Sequence, residues 1–409
     1  METENISQES QPLVIIGTQG RVANGKSSLI RALTGVNPMK FTKEAEKNMT
    51  IKLGYTNAKF YKCVTCPEPW CYQVNQVECA QCGRLNELKL NVSFVDSPGH
   101  NDLQATALSG ASNMDFCLLV VAADCEQDLE TNEHYKAIKI LGLENSTIVL
   151  HNKIDLVTKD VALERWEKLK QTYGVKFILP ICAQFGFGLN YLSQFLVESI
   201  PNPINEKFKK KINSPLKVSI VRSFDVNKPS TPVEKMTGAI VGGTIKTGTL
   251  KIGSRVKIIP GIVLSNGQNH PIEAFVLTLK TDNTPLEIAY PGGLIGIGLS
   301  IDPTLSKEDR LVGNFIIGMD DETNKIFKTC TIKYHQYNPD VSINIKQGDS
   351  FVCMLGSIKR VIKVNWIDKT KSQINFTSSI VMAGELEDSV VITKSNHIEL
   401  YGNICDICE

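Results

Sequence analysis

Up to about residue 200, short apolar runs alternate with stretches whose apolar positions recur at helical spacing. Leu13–Ile16, Val92–Val95, Phe116–Ala122, Ile148–Leu150 and Phe177–Ile181 read as strands. Lys26–Leu33, Glu130–Leu141 and Val161–Tyr173 read as helices between them. That alternation marks βαβ units and a mainly parallel sheet. At Pro201-Asn202-Pro203 the texture changes: proline stops the preceding helix, and Lys207, Lys209, Lys210 and Lys211 follow in what reads as a solvated linker. Past residue 213 the chain breaks into short β-rich segments punctuated by glycine, such as Lys217–Arg222, Gly238–Ile245, Arg255–Ile259 and Leu294–Leu299. A second boundary falls near Leu311–Asp320, and Ser350–Leu355, Lys359–Trp366 and Ser389–Ile392 continue as strands. This pattern predicts small β-barrels.

Composition narrows the picture. The chain has 409 residues, enough for about three domains. Its formal charge of +1 provides no global basic field, so any RNA contact has to come from local patches. Met1–Gln11 is polar, without the apolar core of a signal peptide. The longest apolar run, Phe116–Ala123, is far short of the ~20 residues that span a bilayer. The expectation is a soluble, cytoplasmic protein without a membrane partner. Twelve cysteines in that setting argue for reduced thiols or metal ligands rather than disulfides.

Gly20-Arg21-Val22-Ala23-Asn24-Gly25-Lys26-Ser27, followed by Ser28, matches the P-loop pattern between a predicted strand and a predicted helix. Glycines there let successive N–H groups turn around a phosphate, and the helix N-terminus adds its dipole. Lys26 would reach the β- and γ-phosphates and the Ser27 hydroxyl would ligate Mg²⁺. Asp96-Ser97-Pro98-Gly99 follows a strand, so Asp96 can hold Mg²⁺ and the Gly99 N–H can sense the γ-phosphate. Asn152-Lys153-Ile154-Asp155 also follows a strand, and the Asp155 carboxylate can accept from two guanine donors that adenine lacks. Cys182-Ala183-Gln184 occupies the place where a backbone N–H meets the guanine O6; Cys182 stands where GTPases usually have serine. Four motifs in this order make the nucleotide GTP or GDP.

Cys63-Val64-Thr65-Cys66 and Cys79-Ala80-Gln81-Cys82 are two CxxC pairs twelve residues apart. They can supply four thiolates to a tetrahedral Zn²⁺, with no open position for catalysis. Cys71 reads as a bystander, and Cys405 and Cys408 as ordinary terminal residues.

His100, directly after Asp96–Gly99, distinguishes translation-factor GTPases from Ras-like switches and is the candidate catalytic residue. Its imidazole can orient the attacking water as glutamine does in Ras. Asn48-Met49-Thr50-Ile51-Lys52-Leu53-Gly54-Tyr55, with Asn57-Ala58-Lys59, resembles the switch-one signature of the gamma subunits of eukaryotic and archaeal translation initiation factor 2. Arg222–Pro229, Pro291–Gly296 and Asp302–Leu305 resemble the same family, over about Ile15 to Gly318. The resemblance implies a P-loop GTPase domain at 1–205 with a zinc knuckle at about 61–86, then β-barrel domains at 206–318 and 319–409. It further implies that Thr50 ligates Mg²⁺ and that the chain carries methionyl initiator tRNA to the small ribosomal subunit. The implied partners are alpha and beta subunits and GTPase-activating and nucleotide-exchange factors. Tyr55 is a candidate to stack on the methionyl-adenosine end. The family normally has histidines at Arg21 and Asn24, and isoleucine at Met49; Arg21 and Asn24 keep open a scaffold that binds GTP without hydrolysing it. The other alternative is an elongation-factor-type GTPase, a kind that resembles this family.

Overall fold

The computed structural model describes residues 9–38, 53–99, 114–125, 129–227, 237–264, 268–282, 284–336, 345–394 and 397–408. The chain divides into two compact units, residues 1–205 and 206–409.

In the first unit the strands are β1 (Val14–Gln19), β2 (Gly54–Lys62), β3 (Tyr72–Val74), β4 (Glu87–Asp96), β5 (Phe116–Ala122), β6 (Thr147–Asn152) and β7 (Ile178–Pro180). They form one sheet in the order β3-β2-β4-β1-β5-β6-β7. From β4 to β7 the pairings are parallel, while β2 runs antiparallel to β4 and β3 antiparallel to β2. The helices are α1 (Lys26–Thr34), α2 (Leu129–Ile140), α3 (Lys159–Tyr173) and α4 (Leu189–Ser199).

Strand β5 explains why the central strands read as unbroken apolar runs. Side chains alternate across a strand. Phe116, Leu118 and Val120 join Leu29, Ile30, Leu192 and Leu196 of α1 and α4 on one face. Cys117, Leu119 and Val121 join Ile138 and Leu169 of α2 and α3 on the other. Both faces are covered, so no polar alternation survives.

The second unit starts with α5 (Glu206–Ile212). The lysines read from sequence as a solvated linker are therefore helical; Phe208 anchors them by burial, and Lys209 pairs with Glu206 at 2.8 Å. Its first barrel contains β8 (Lys217–Phe224), β9 (Ile240–Thr247), β10 (Leu250–Lys251), β11 (Arg255–Val263), β12 (Asn269–Thr281), β13 (Thr284–Leu286), β14 (Ile288–Ala289), β15 (Gly292–Leu299) and β16 (Phe315–Gly318). The order β11-β16-β8-β9-β15-β12 is closed by pairing of β11 with β12. The second barrel has β17 (Lys325–Gln336), β18 (Ser350–Leu355), β19 (Ile358–Asp368), β20 (Gln373–Gly384), β21 (Ser389–Lys394) and β22 (His397–Cys408). It closes in the order β17-β20-β19-β18-β21-β22. Lys217 on β8 reaches across to Glu385 at 2.6 Å and Asp388 at 3.0 Å, joining the barrels.

Candidate nucleotide site and metal centre

Four described segments of the candidate nucleotide site lie at the carboxyl ends of strands of the parallel sheet, where α/β folds place their ligands. Gly20 follows β1, Asp96 ends β4, Asn152 ends β6, and Cys182 follows β7.

The P-loop folds around its own lysine. Lys26 is buried, and its Nζ donates to the carbonyls of Gly20 at 2.7 Å and Arg21 at 2.9 Å. Ser27 on the first turn of α1 donates to Asp96 Oδ2 at 2.6 Å, and Thr18 of β1 donates to Asp96 Oδ1 at 3.1 Å. The fully buried Asp96 carboxylate thus has a hydroxyl on each oxygen, one of them a proposed Mg²⁺ ligand. Gly99 lies against the loop: a Cβ there would sit 2.5 Å from Val22 N and 2.7 Å from Arg21 C. Only glycine permits that approach. Ala23 has φ of 66°, a left-handed conformation that a non-glycine residue adopts at a cost. Ser28 is exposed.

Three loops are fastened by Asn152. Its Oδ1 accepts from Ala183 N at 3.0 Å, and its Nδ2 donates to Asn24 O at 2.9 Å. Asn24 in turn donates from Nδ2 to Val120 O at 2.8 Å. Asn24 is therefore a buried strut between the P-loop and β5. Gly25 must be glycine: at φ 96°, an added Cβ would lie 2.3 Å from Asn152 Nδ2. Lys153 pairs with Asp124 at 3.0 Å, and Asp155 lies exposed beside it. Cys182 N and Phe187 N bond each other's carbonyls at 3.0 and 3.1 Å, closing the loop that carries Ala183 and the exposed Gln184. Burial, and then the Asp155 carboxylate, push the Cys182 thiol up.

Thr50, Met49 and His100 lie outside the described residues. Tyr55 is half-buried on β2, paired with Val95 of β4. Thr18 and the bonding role of Asn24 were missed in the sequence. Thr18 lies just past the apolar run Leu13–Ile16, where β1 continues through Thr18 and Gln19, so the apolar pattern does not mark it.

The four cysteines converge. Their Sγ atoms all lie within 4.8 Å of one another, with Cys63–Cys82 at 3.5 Å and Cys66–Cys79 at 3.6 Å. A tetrahedron of ~2.3 Å metal–sulfur bonds has edges of about 3.8 Å, so the set fits Zn²⁺. The Thr65 hydroxyl and backbone draw the Cys63 thiol down, while burial pushes Cys66 up. Four thiols this close cannot all ionise without a cation between them. Cys71 is fully buried beside the cluster and outside the ligand set. Cys405 sits on β22 and donates to Thr331 O at 3.4 Å.

Residues 11–202 match the model of the elongation factor Tu GTP binding domain. Over 97% of its length the chain is 36% identical to eukaryotic translation initiation factor 2 subunit gamma of Encephalitozoon cuniculi, covering 92% of that protein. Translation initiation factor 2 subunit gamma of Methanosarcina mazei is 40% identical over 74% of this chain and 71% of its own. Among solved structures, a bacterial selenocysteine-specific elongation factor aligns with a TM-score of 0.72 at 20% identity, over 96% of this chain and 58% of that one. The elongation factor SelB of Methanococcus maripaludis aligns with a TM-score of 0.72 at 18% identity, over 97% of this chain and 79% of that one. At such identities the two structures bear on the fold alone.

Proposed function

The chain belongs to the gamma-subunit family of eukaryotic and archaeal translation initiation factor 2, and on that premise we propose that it carries methionyl initiator tRNA to the small ribosomal subunit when GTP is bound. It is a translational GTPase and the GTP-binding subunit of the factor. The observation that supports the reading is the Asn152 fastening, which ties the P-loop and the Ala183 amide to the strand end that leads into Asp155. We assign the domains as 1–205, 206–318 and 319–409, the last two being the barrels.

The site residues divide the work. The N–H groups from Gly20 to Ser28 cradle the phosphates at the N-terminus of α1. Lys26, already charged and held over the loop, needs only to exchange carbonyls for phosphate oxygens. Ser27 and Asp96 lie 2.6 Å apart, close enough to share one Mg²⁺ directly or through water, with Thr50 as the third protein group. A Mg²⁺ held by these groups would supply charge neutralisation at the phosphates. Asp155, Lys153 and the Ala183 N–H select guanine, with Gln184 beside them. Cys63, Cys66, Cys79 and Cys82 hold one Zn²⁺ as a closed structural knuckle. His100 orients the attacking water.

In this reading Thr50 would join the Mg²⁺ ligands when GTP is bound, and the aminoacylated end of the tRNA would be held until hydrolysis. The alpha and beta subunits, an activating protein and an exchange factor complete the assembly, which works in the cytoplasm. Among the described residues no helix is long and apolar enough to cross a membrane. Filter binding is the direct test. GTP should promote retention of methionyl initiator tRNA over elongator methionyl-tRNA, and GDP should not. Equal retention of both tRNAs would favour an elongation-type carrier, and retention of neither would favour a scaffold.

A further inference from the structure

The knuckle is held by more than its cysteines. On β3 neighbouring side chains point to opposite faces. Gln73 turns toward the cysteines: its Nε2 donates to Cys79 Sγ at 3.2 Å. Its Oε1 accepts from Ala80 N at 3.1 Å and from Asn86 Nδ2 at 3.2 Å. One amide thus braces a ligand sulfur, the backbone directly after that ligand, and the strand end that returns toward β4. Tyr72, on the other face, turns toward α4. Its hydroxyl donates to Glu198 Oε1 at 2.7 Å, and Gln194 of α4 donates to Glu68 Oε2 at 3.0 Å. Lys62 ties these together, donating to Glu68 Oε1 at 2.7 Å and to Tyr72 Oη at 2.8 Å. Val197 of α4 packs on the cluster formed by Cys63, Cys71, Tyr72 and Cys79. Helix α4 opens directly after the loop that presents Ala183 to the guanine pocket.

We infer that Gln73 is a positioning residue for the knuckle's metal ion, and that β3 passes the ion's presence to α4 through Tyr72. The inference rests on the reading of the four cysteines as a metal site. Its physical basis is charge and geometry. Four thiolates around one divalent ion leave net negative charge on sulfur, which an N–H donor stabilises. The same donor fixes the orientation of Cys79, so losing it weakens the hold on the ion. Stripping the ion frees Cys79 and Gln73 together, and Tyr72, one residue away, loses its fixed seat against Glu198.

The test uses the full chain loaded with Zn²⁺. Competition with a chromophoric chelator gives the apparent affinity, and hydrogen exchange is followed over Leu189–Ser199 with and without the ion. Gln73→Leu should hold Zn²⁺ about 10–100-fold more weakly. Gln73→Glu keeps the acceptor toward Ala80 and Asn86, preserving the fold, but loses the donor to sulfur; it should be weakened at least as much. Tyr72→Phe should keep wild-type Zn²⁺ affinity. In the wild-type protein, removing Zn²⁺ should speed amide exchange across α4, and in Tyr72→Phe that sensitivity should largely vanish.

One ion in the wild type with unchanged affinity in both Gln73 variants overturns the role of Gln73 alone. Equal exchange of α4 with and without the ion overturns the relay. A wild type that takes up no Zn²⁺ overturns the metal site and this inference with it.

Discussion

Cys182 and Asp155 form a contact that bears directly on nucleotide choice. The Asp155 carboxylate pushes the Cys182 thiol up, and that carboxylate is the group proposed to accept from the guanine N1 and N2 donors. Replacing Asp155 by asparagine swaps one acceptor for an NH₂ donor. Asp155→Asn should therefore lose GTP affinity and gain xanthosine triphosphate, whose extra carbonyl accepts from that NH₂. Unchanged GTP binding, with no gain for the xanthine nucleotide, would put the base elsewhere. The thiol tests the same contact from the other side. Cys182→Ser keeps a donor and should leave GTP affinity within about twofold. Cys182→Ala removes it and should cost about 1 kcal/mol, a several-fold loss in nucleotide titrations. Asn24 shows why motif departures have to be read with their bonds: it differs from the family residue, yet its side chain is committed to Val120 O.

At the scale of elements, local signals were legible and long-range ones were not. Phe116–Ala122 and Ser350–Leu355 form strands over the residues their apolar pattern marks. Strand β2 overlaps the switch-one signature, whose polar residues hide its strand pattern, although Ala58 and Phe60 alternate toward the core. Helix α5 escaped because lysines dominate it and only Phe208 is buried. The four nucleotide motifs and the paired cysteines stood out because each is a short run with fixed spacing. The Asn152 bonds to Asn24 and Ala183 span 128 and 31 residues, and no local pattern encodes them.

The tie between the barrels is equally non-local, since Lys217 and Glu385 are 168 residues apart. Lys217 is buried and also lies over the Phe315 ring at 5.0 Å. Lys217→Ala leaves two carboxylates facing each other across a vacated site. It should lower unfolding stability by about 1–3 kcal/mol, less than for a fully buried pair because both acids keep some solvent. Urea unfolding with an unchanged slope and a lower midpoint would show it; an unchanged midpoint would mean the tie adds nothing.

For the molecule as a whole, a carrier must hold its cargo through a long wait and release it once, so binding and hydrolysis should separate cleanly by residue. Binding is assigned to Lys26 over the loop carbonyls, Ser27 on Asp96, and Asn152 holding Ala183. Hydrolysis needs a water aligned to the γ-phosphate, and His100, directly after Gly99, is the group assigned to it. In the proposed mechanism the imidazole would act only once the γ-phosphate, Mg²⁺ and Thr50 are together, so its contribution would lie in the transition state. His100→Ala should leave GTP and initiator-tRNA affinity near wild type while slowing partner-stimulated hydrolysis by about 10²–10⁴-fold. Arg21 is the competing candidate, a cation within the P-loop. Its carbonyl accepts from Lys26 and from Asn24 N, which fixes the backbone of the loop at that residue. Arg21→Ala should change the stimulated rate far less than His100→Ala in single-turnover measurements. An equal loss in the two variants would move the main catalytic role from the histidine to the arginine.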